Sequence, residues 1–240
     1  MPLASVIFDL DGTLLDTIAD IAHALNRALA ASGFPEVSRE VCRENVGWGA
    51  SELVRRVLPG VARDNPTTVA TVTGHLSRFY QEDPVSRTRP YPGTLEMLQE
   101  LRRSPGGGTT PLAVLSNKPD ELVQLIVSAL FPGDLFACVQ GASSRWPVKP
   151  DPASARHVMD VLGSPAGATA FVGDSVVDIQ TARGAGCVAV AAAWGYRPAK
   201  ELRSAGPDHV CYTVDDAGHL LTSLLTTPIT QTRTEGEQLS

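Results

Sequence analysis

Two rhythms of apolar residues alternate along most of this chain. Short runs rich in aliphatic and β-branched residues recur at positions 4–9, 112–115, 136–139, 169–172 and 187–192, and they predict strands. Between them lie stretches with helical spacing. Leu95, Leu98 and Leu101 mark residues 94–103. Leu122, Leu125, Ile126 and Leu130 follow Pro119, a residue suited to a first helical turn. Residues 152–162 and 176–185 complete the series, the latter stopping near Gly184 and Gly186. Strand–helix alternation of this kind predicts an α/β fold: a Rossmann-like parallel sheet with helices on both faces.

The interval from Thr17 to Arg87 departs from that rhythm. Ile18, Ile21, Ala22, Leu25, Ala28 and Leu29 outline an amphipathic helix ending near Gly33. Helical stretches follow at 51–58 and 67–80, with no strand among them. The expected organisation is an α/β core formed by residues 1–16 and 88–227, a small all-helical insertion at 17–87, and a disordered tail at 228–240. Residues 104–108, Ser-Pro-Gly-Gly-Gly, are expected to form a flexible surface loop, since no Lys-Ser/Thr pair follows to make a phosphate-binding Walker loop.

Composition narrows the function classes. A net charge of −6 and 5% aromatic residues disfavour a nucleic-acid binder or an anionic-membrane binder. No apolar run approaches the roughly 18 residues of a membrane span. Asp9 and Asp11 precede any basic residue, unlike a signal peptide. Cys42, Cys138, Cys187 and Cys211 have no metal-binding or disulfide spacing, as expected of a reduced cytoplasmic chain.

Candidate chemistry gathers where strands end. Asp9-Leu10-Asp11-Gly12-Thr13 closes the first strand, and ligands of open parallel sheets bind beyond such carboxyl ends. Gly173-Asp174-Ser175-Val176-Val177-Asp178 leaves a later strand for a helix. Asp9, Asp11 and Asp174 together supply hard oxygen ligands suited to Mg²⁺, with no nearby His or Cys to favour a softer metal. Ser116-Asn117-Lys118 follows the second strand, and Lys149 sits between Pro147 and Pro150. A stiffened ammonium at Lys149 suits a phosphoryl oxygen, whereas Lys118 is expected to be a solvated surface residue.

These four elements, in this order, resemble the haloacid dehalogenase superfamily of Mg²⁺-dependent phosphohydrolases. The resemblance implies that Asp9 is the nucleophile, forming an aspartyl-phosphate, and that Asp11 is the acid and base. It implies Mg²⁺ held by Asp9, the main-chain carbonyl of Asp11, and Asp174. It assigns Thr13, Ser116, Asn117 and Lys149 to the phosphoryl oxygens, with Asp178 orienting Lys149 or a metal-bound water. The helical insertion resembles the family's small cap. Asp11 argues against dehalogenation, because a departing halide needs no proton. Ile21 stands where the sugar-phosphate mutases carry His, and residues 17–87 contain no Lys for the Schiff base of the phosphonate-cleaving branch.

Residues 16–26, Gly47-Trp48-Gly49, Arg89-Pro90-Tyr91-Pro92-Gly93 and Trp194-Gly195-Tyr196 resemble phosphoglycolate phosphatases, with pyrophosphatases, nucleotidases and sugar phosphatases as the alternative. A non-catalytic module binding a phosphorylated ligand is the alternative of another class; the presence of both Asp9 and Asp174 weighs against it. In the cap, the helix start at Gly49 and the side chain of Arg55 are expected to bind a second anion of the substrate. The expected partner is a small phosphorylated metabolite, and the chain is expected to be a monomer or homodimer.

Overall fold

The first strand, β1 (Ser5–Phe8), is wholly buried, which its unbroken apolar sequence requires. Val6 and Phe8 join one hydrophobic cluster and Ile7 joins a second, so the strand lies between two layers. The computed structural model describes residues 1–103 and 108–226. The expected disordered tail lies outside the described residues, as does nearly all of the expected loop at 104–108.

After β1 comes the short strand β2 (Leu15–Asp16), then helices α1 (Ile18–Ala31), α2 (Arg39–Asn45), α3 (Ala50–Val57) and α4 (Pro66–Glu82). The chain returns through β3 (Arg89–Pro90) to α5 (Thr94–Arg102), β4 (Leu112–Pro119), α6 (Asp120–Leu130) and β5 (Cys138–Ala142). It continues with α7 (Ala153–Leu162), β6 (Thr169–Gly173), α8 (Val176–Ala185), β7 (Val188–Ala192), α9 (Ala199–Ser204), β8 (His209–Cys211) and α10 (Val214–Thr226).

Six strands form one parallel sheet in the order β5-β4-β1-β6-β7-β8. Strand order therefore reverses about β1, which pairs with β4 on one side and β6 on the other. Helices α5, α6 and α10 supply one apolar layer, including Leu98, Ile126 and Leu221. Helices α7, α8 and α9 supply the other, including Val158, Ile179 and Leu202. The strand β8 and helices α2, α9 and α10 were not anticipated from the sequence.

Local chemistry sets the helix ends. Asn65 accepts hydrogen bonds from the Thr67 and Thr68 amides, and Pro66 opens α4. Ser175 and Asp178 form a reciprocal capping box at α8. In the insertion, α1 packs against α4, and Leu25, Leu29, Leu53, Val72 and Leu76 extend the larger apolar cluster. Each such side chain contributes roughly 1.5–3 kcal/mol when fully buried.

The entry and exit of the insertion are tied to each other. Strands β2 and β3 pair antiparallel, and Tyr91 donates its amide to the Leu14 carbonyl at 3.1 Å. Asp20, buried in α1, accepts from the amides of Arg87 and Thr88 and from the Thr88 hydroxyl, the latter two at 2.7 Å. Asp20→Ala would strand these donors, each costing about 1–3 kcal/mol when buried without a partner. We expect urea unfolding of this variant to show about 3 kcal/mol lower stability. A change below about 0.5 kcal/mol would show that Asp20 does not brace the junction.

Candidate active site

The end of β1 carries Asp9, whose amide donates to the Val172 carbonyl of β6 at 2.9 Å. That bond aligns Asp9 with the end of β6, beyond which lie Asp174 and, in the first turn of α8, Asp178. Carboxylate oxygens of Asp9, Asp174 and Asp178 lie within 4.8 Å of one another, and all three residues are buried. Immediately after β1 the chain turns at Gly12, with φ of +86°. A side chain at Gly12 would overlap the Asp174 carboxylate, so the turn needs glycine for both its conformation and the close approach. Asp174 Oδ2 accepts the Tyr196 amide at 2.7 Å.

Lys149 sits at the centre of this cluster, with an ordinary surface lysine's exposure reduced to 2%. Its Nζ lies 2.6 Å from Asp178 Oδ1 and 2.8 Å from Asp9 Oδ1, and it donates to the Leu115 carbonyl at 3.1 Å. Asp178 thus holds Lys149 with one oxygen, while its other oxygen accepts from the Ser175 amide and hydroxyl.

Asn117 braces the same lysine. Its Oδ1 accepts the Lys149 amide at 2.8 Å, and its Nδ2 donates to the carbonyls of Lys149 and Gly47 at 2.9 and 3.0 Å. Both amide hydrogens are committed to protein carbonyls, so the side chain expected on a phosphoryl oxygen works as a brace. Ser116 lines the cleft above Asp9, and the hydroxyl of buried Thr13 has no hydrogen-bond partner.

Helices of the insertion roof this cleft. Ile21, Val46, Leu53, Leu76 and Leu122 give it apolar walls, with Asp9 and Asp11 at its floor and Gly49 at its side. The roof is fastened to the sheet side by Asn117 on Gly47 and by Arg197, which donates to the Arg43 and Val46 carbonyls at 3.1 and 2.7 Å.

Two cations occupy places that the sequence did not predict. Arg55 points away from the cleft and is paired with Glu52 through two hydrogen bonds of 2.7 Å. The reason is helical phase: Leu53 turns into the cleft, and Arg55 lies about 200° further round α3. Lys118, expected on the surface, is buried at 7% exposure. Its Nζ donates to Asp11 Oδ1 and to the Tyr80 hydroxyl, both at 2.7 Å. Asp11 Oδ1 also accepts from Thr17 at 2.7 Å. Burial opposes the Lys118 charge, but Asp11 and Tyr80 outweigh it and hold its pKa above the ordinary lysine value. Burial pushes the Tyr80 phenol up to about 12. Tyr80 carries no motif; a Tyr on the buried face of the last insertion helix was the available signal.

The sequence profile of the haloacid dehalogenase-like hydrolases matches residues 6–192. The chain belongs to this family. It is 33% identical to a phosphoglycolate phosphatase of Haemophilus influenzae over 90% of its own length and 96% of the relative's. It is 30% identical to one of Thiobacillus denitrificans, covering 92% and 97%. A crystal structure from Lactobacillus delbrueckii subsp. bulgaricus superposes with a TM-score of 0.81 at 31% identity, covering 94% of this chain and 99% of that one. The structure of a predicted phosphoglycolate phosphatase from Haemophilus somnus gives 0.79 at 28% identity, covering 93% and 97%.

In this hydrolase the buried charges do not balance: three carboxylates face the one Lys149 ammonium. Burial pushes the Asp9 carboxyl up to about 7, with Asp178 and Asp11 adding to the effect and Lys149 opposing it. Burial, then the charges of Asp178 and Asp9, hold Asp174 well above the usual carboxylate range. Three buried carboxylates whose oxygens gather within 4.8 Å against a single ammonium make an electron-rich, hard-donor cluster that fits a hard divalent cation.

The pH dependence follows. Unfolded Asp9 releases its proton near 3.8, while the metal-free native acid keeps it to about 7. Native stability therefore falls as pH rises between those values. Asp9→Asn mimics the protonated acid. In chelator, the variant should match the wild-type Tm near pH 4 and exceed it at pH 7.5, read by calorimetry. An offset that does not change with pH would mean that Asp9 is not desolvated as described.

Proposed function

We propose that this chain is a Mg²⁺-dependent phosphatase of small phosphate monoesters, with 2-phosphoglycolate as its substrate. The observation that carries the reading is the group of buried Asp9, Asp174 and Asp178 around Lys149, with Asp11 facing the same cleft. The phosphoglycolate phosphatase names of the relatives support the substrate.

Asp9 attacks phosphorus, and its carboxylate oxygen gains the P–O bond as the ester P–O bond breaks. Asp11 gives the departing oxygen a proton, releasing the alcohol. Asp11 then takes a proton from water, whose oxygen bonds to phosphorus as the aspartyl P–O bond breaks. Phosphate leaves and both carboxylates return to their starting states. Lys149, held by Asp178 and Asn117, stabilises charge on the phosphoryl oxygens together with Ser116 and Thr13.

Asp9, Asp174 and the Asp11 carbonyl hold Mg²⁺ in this reading. When bound, the ion offsets the repulsion between the Asp9 carboxylate and an anionic phosphate. Residues 17–87 serve as a cap that excludes water over a core of residues 1–16 and 88–227.

Two outcomes are expected. Asp9→Asn should lose at least about 1,000-fold in kcat on 2-phosphoglycolate, as removal of a nucleophile does, while remaining folded by circular dichroism. Chelation should abolish wild-type turnover, Mg²⁺ should restore it, and excess Ca²⁺ should inhibit, because its looser, larger ligand shell spoils the line of attack. Turnover by Asp9→Asn, or full activity in chelator, would refute the mechanism.

A further inference from the structure

Lys118 is the one cationic side chain among the described residues lining the cleft. An ammonium has three N–H donors, and two are placed: one on Asp11 Oδ1 and one on the Tyr80 hydroxyl, each at 2.7 Å. The third has no acceptor among the described contacts. Tyr80, having accepted from Lys118, retains a hydroxyl hydrogen that meets no acceptor among the described residues either. Two donors are therefore left over, side by side, in a cleft whose other walls are largely apolar.

We propose that Lys118 and Tyr80 form the subsite that reads a carboxylate on the substrate's leaving group. This rests on the phosphatase reading above and gives it a chemical class: alkyl phosphates with a carboxylate one carbon from the ester oxygen. Position supports the assignment. Asp11 protonates the leaving oxygen, and Lys118 Nζ touches the Asp11 carboxylate. A carboxylate two bonds from that oxygen is thus within reach of the free N–H and of the Tyr80 hydroxyl. The apolar walls of Ile21, Leu53, Leu76 and Leu122 exclude water and so strengthen the pair. Arg55, committed to Glu52 and turned outward, does not supply this function.

The two donors come from opposite sides of the cleft. Lys118 leaves β4 of the sheet, and Tyr80 lies on α4 of the insertion. A carboxylate bound by both would link sheet and roof at the leaving-group end. An alkyl phosphate without it would leave that link to Lys118 and Tyr80 alone.

The test compares 2-phosphoglycolate with ethyl phosphate, which shares the ester and lacks the carboxylate. Values of kcat/KM are taken for the wild type, Lys118→Met and Tyr80→Phe, each shown to be folded by its thermal transition. Met preserves the length and apolar stem of Lys118. Any effect on Asp11 is common to both substrates and cancels in the ratio of their kcat/KM values.

The wild type should prefer 2-phosphoglycolate. Lys118→Met should reduce that preference on the order of 100-fold and Tyr80→Phe about tenfold, as expected for charged and neutral hydrogen bonds to a carboxylate. A wild type that prefers 2-phosphoglycolate, with both variants retaining the preference, overturns the subsite and leaves the substrate reading intact. Equal losses on both substrates give Lys118 only the positioning of Asp11 and likewise overturn the subsite. A wild type with no preference overturns the substrate reading, and the carboxylate subsite with it.

Discussion

Excess negative charge buried at the end of a parallel sheet governs this molecule. Asp9, Asp174 and Asp178 are drawn out of water against a single buried ammonium, Lys149. Isolated charges in such a place cost several kcal/mol each, so the arrangement persists only with compensation. The fold supplies part of it through Lys149, the Tyr196 amide and the Ser175 cap. In the absence of a cation, burial raises the proton affinity of Asp9 and Asp174, which relieves another part. Much surrounding detail follows from that demand: Gly12 clears space for Asp174, and Asn117 fixes the segment that carries Lys149.

The same charge geometry explains how sheet and helical insertion are coupled. Asp11 faces the cleft two residues beyond Asp9, and its carboxylate is held by Thr17 at the start of the insertion and by Lys118 from β4. Lys118 in turn reaches Tyr80 on α4. Acid, lysine and roof helix therefore make one hydrogen-bonded chain. Asp20 anchors the returning segment at the opposite side of the junction, where β2 and β3 pair. The position of the insertion relative to Asp11 is thus set by polar contacts at both sides, as well as by apolar packing.

What the sequence could reveal depended on how local each determinant is. Strands β1, β4, β6 and β7 announce themselves because burial on both faces leaves unbroken apolar runs. Asp9, Asp11, Asp174 and Asp178 were legible because each stands within a few residues of such a strand end. Lys118 was not, since its burial depends on Tyr80, 38 positions earlier in the chain, and on Asp11, 107 positions earlier. Arg55 was misplaced because its helix was located without its rotational phase, which Leu53 and the cleft reveal. The Asn117 side chain kept its neighbourhood but not its expected partner. Strand β8 and helix α9 are short, and α2 buries only Cys42, so their apolar patterns carry too few positions to be read.

The central claim is that the Asp9 carboxylate becomes covalently phosphorylated in each turnover. Rapid acid quenching during steady-state hydrolysis of 2-phosphoglycolate with Mg²⁺, followed by proteolysis and mass spectrometry, tests it directly. The account predicts a phosphoryl group on the peptide carrying residues 9–13, localised to Asp9, lost on mild alkaline treatment and missing from Asp9→Asn. Active enzyme that never carries phosphoryl at Asp9, or carries it instead on Ser116 or Thr13, would contradict the account.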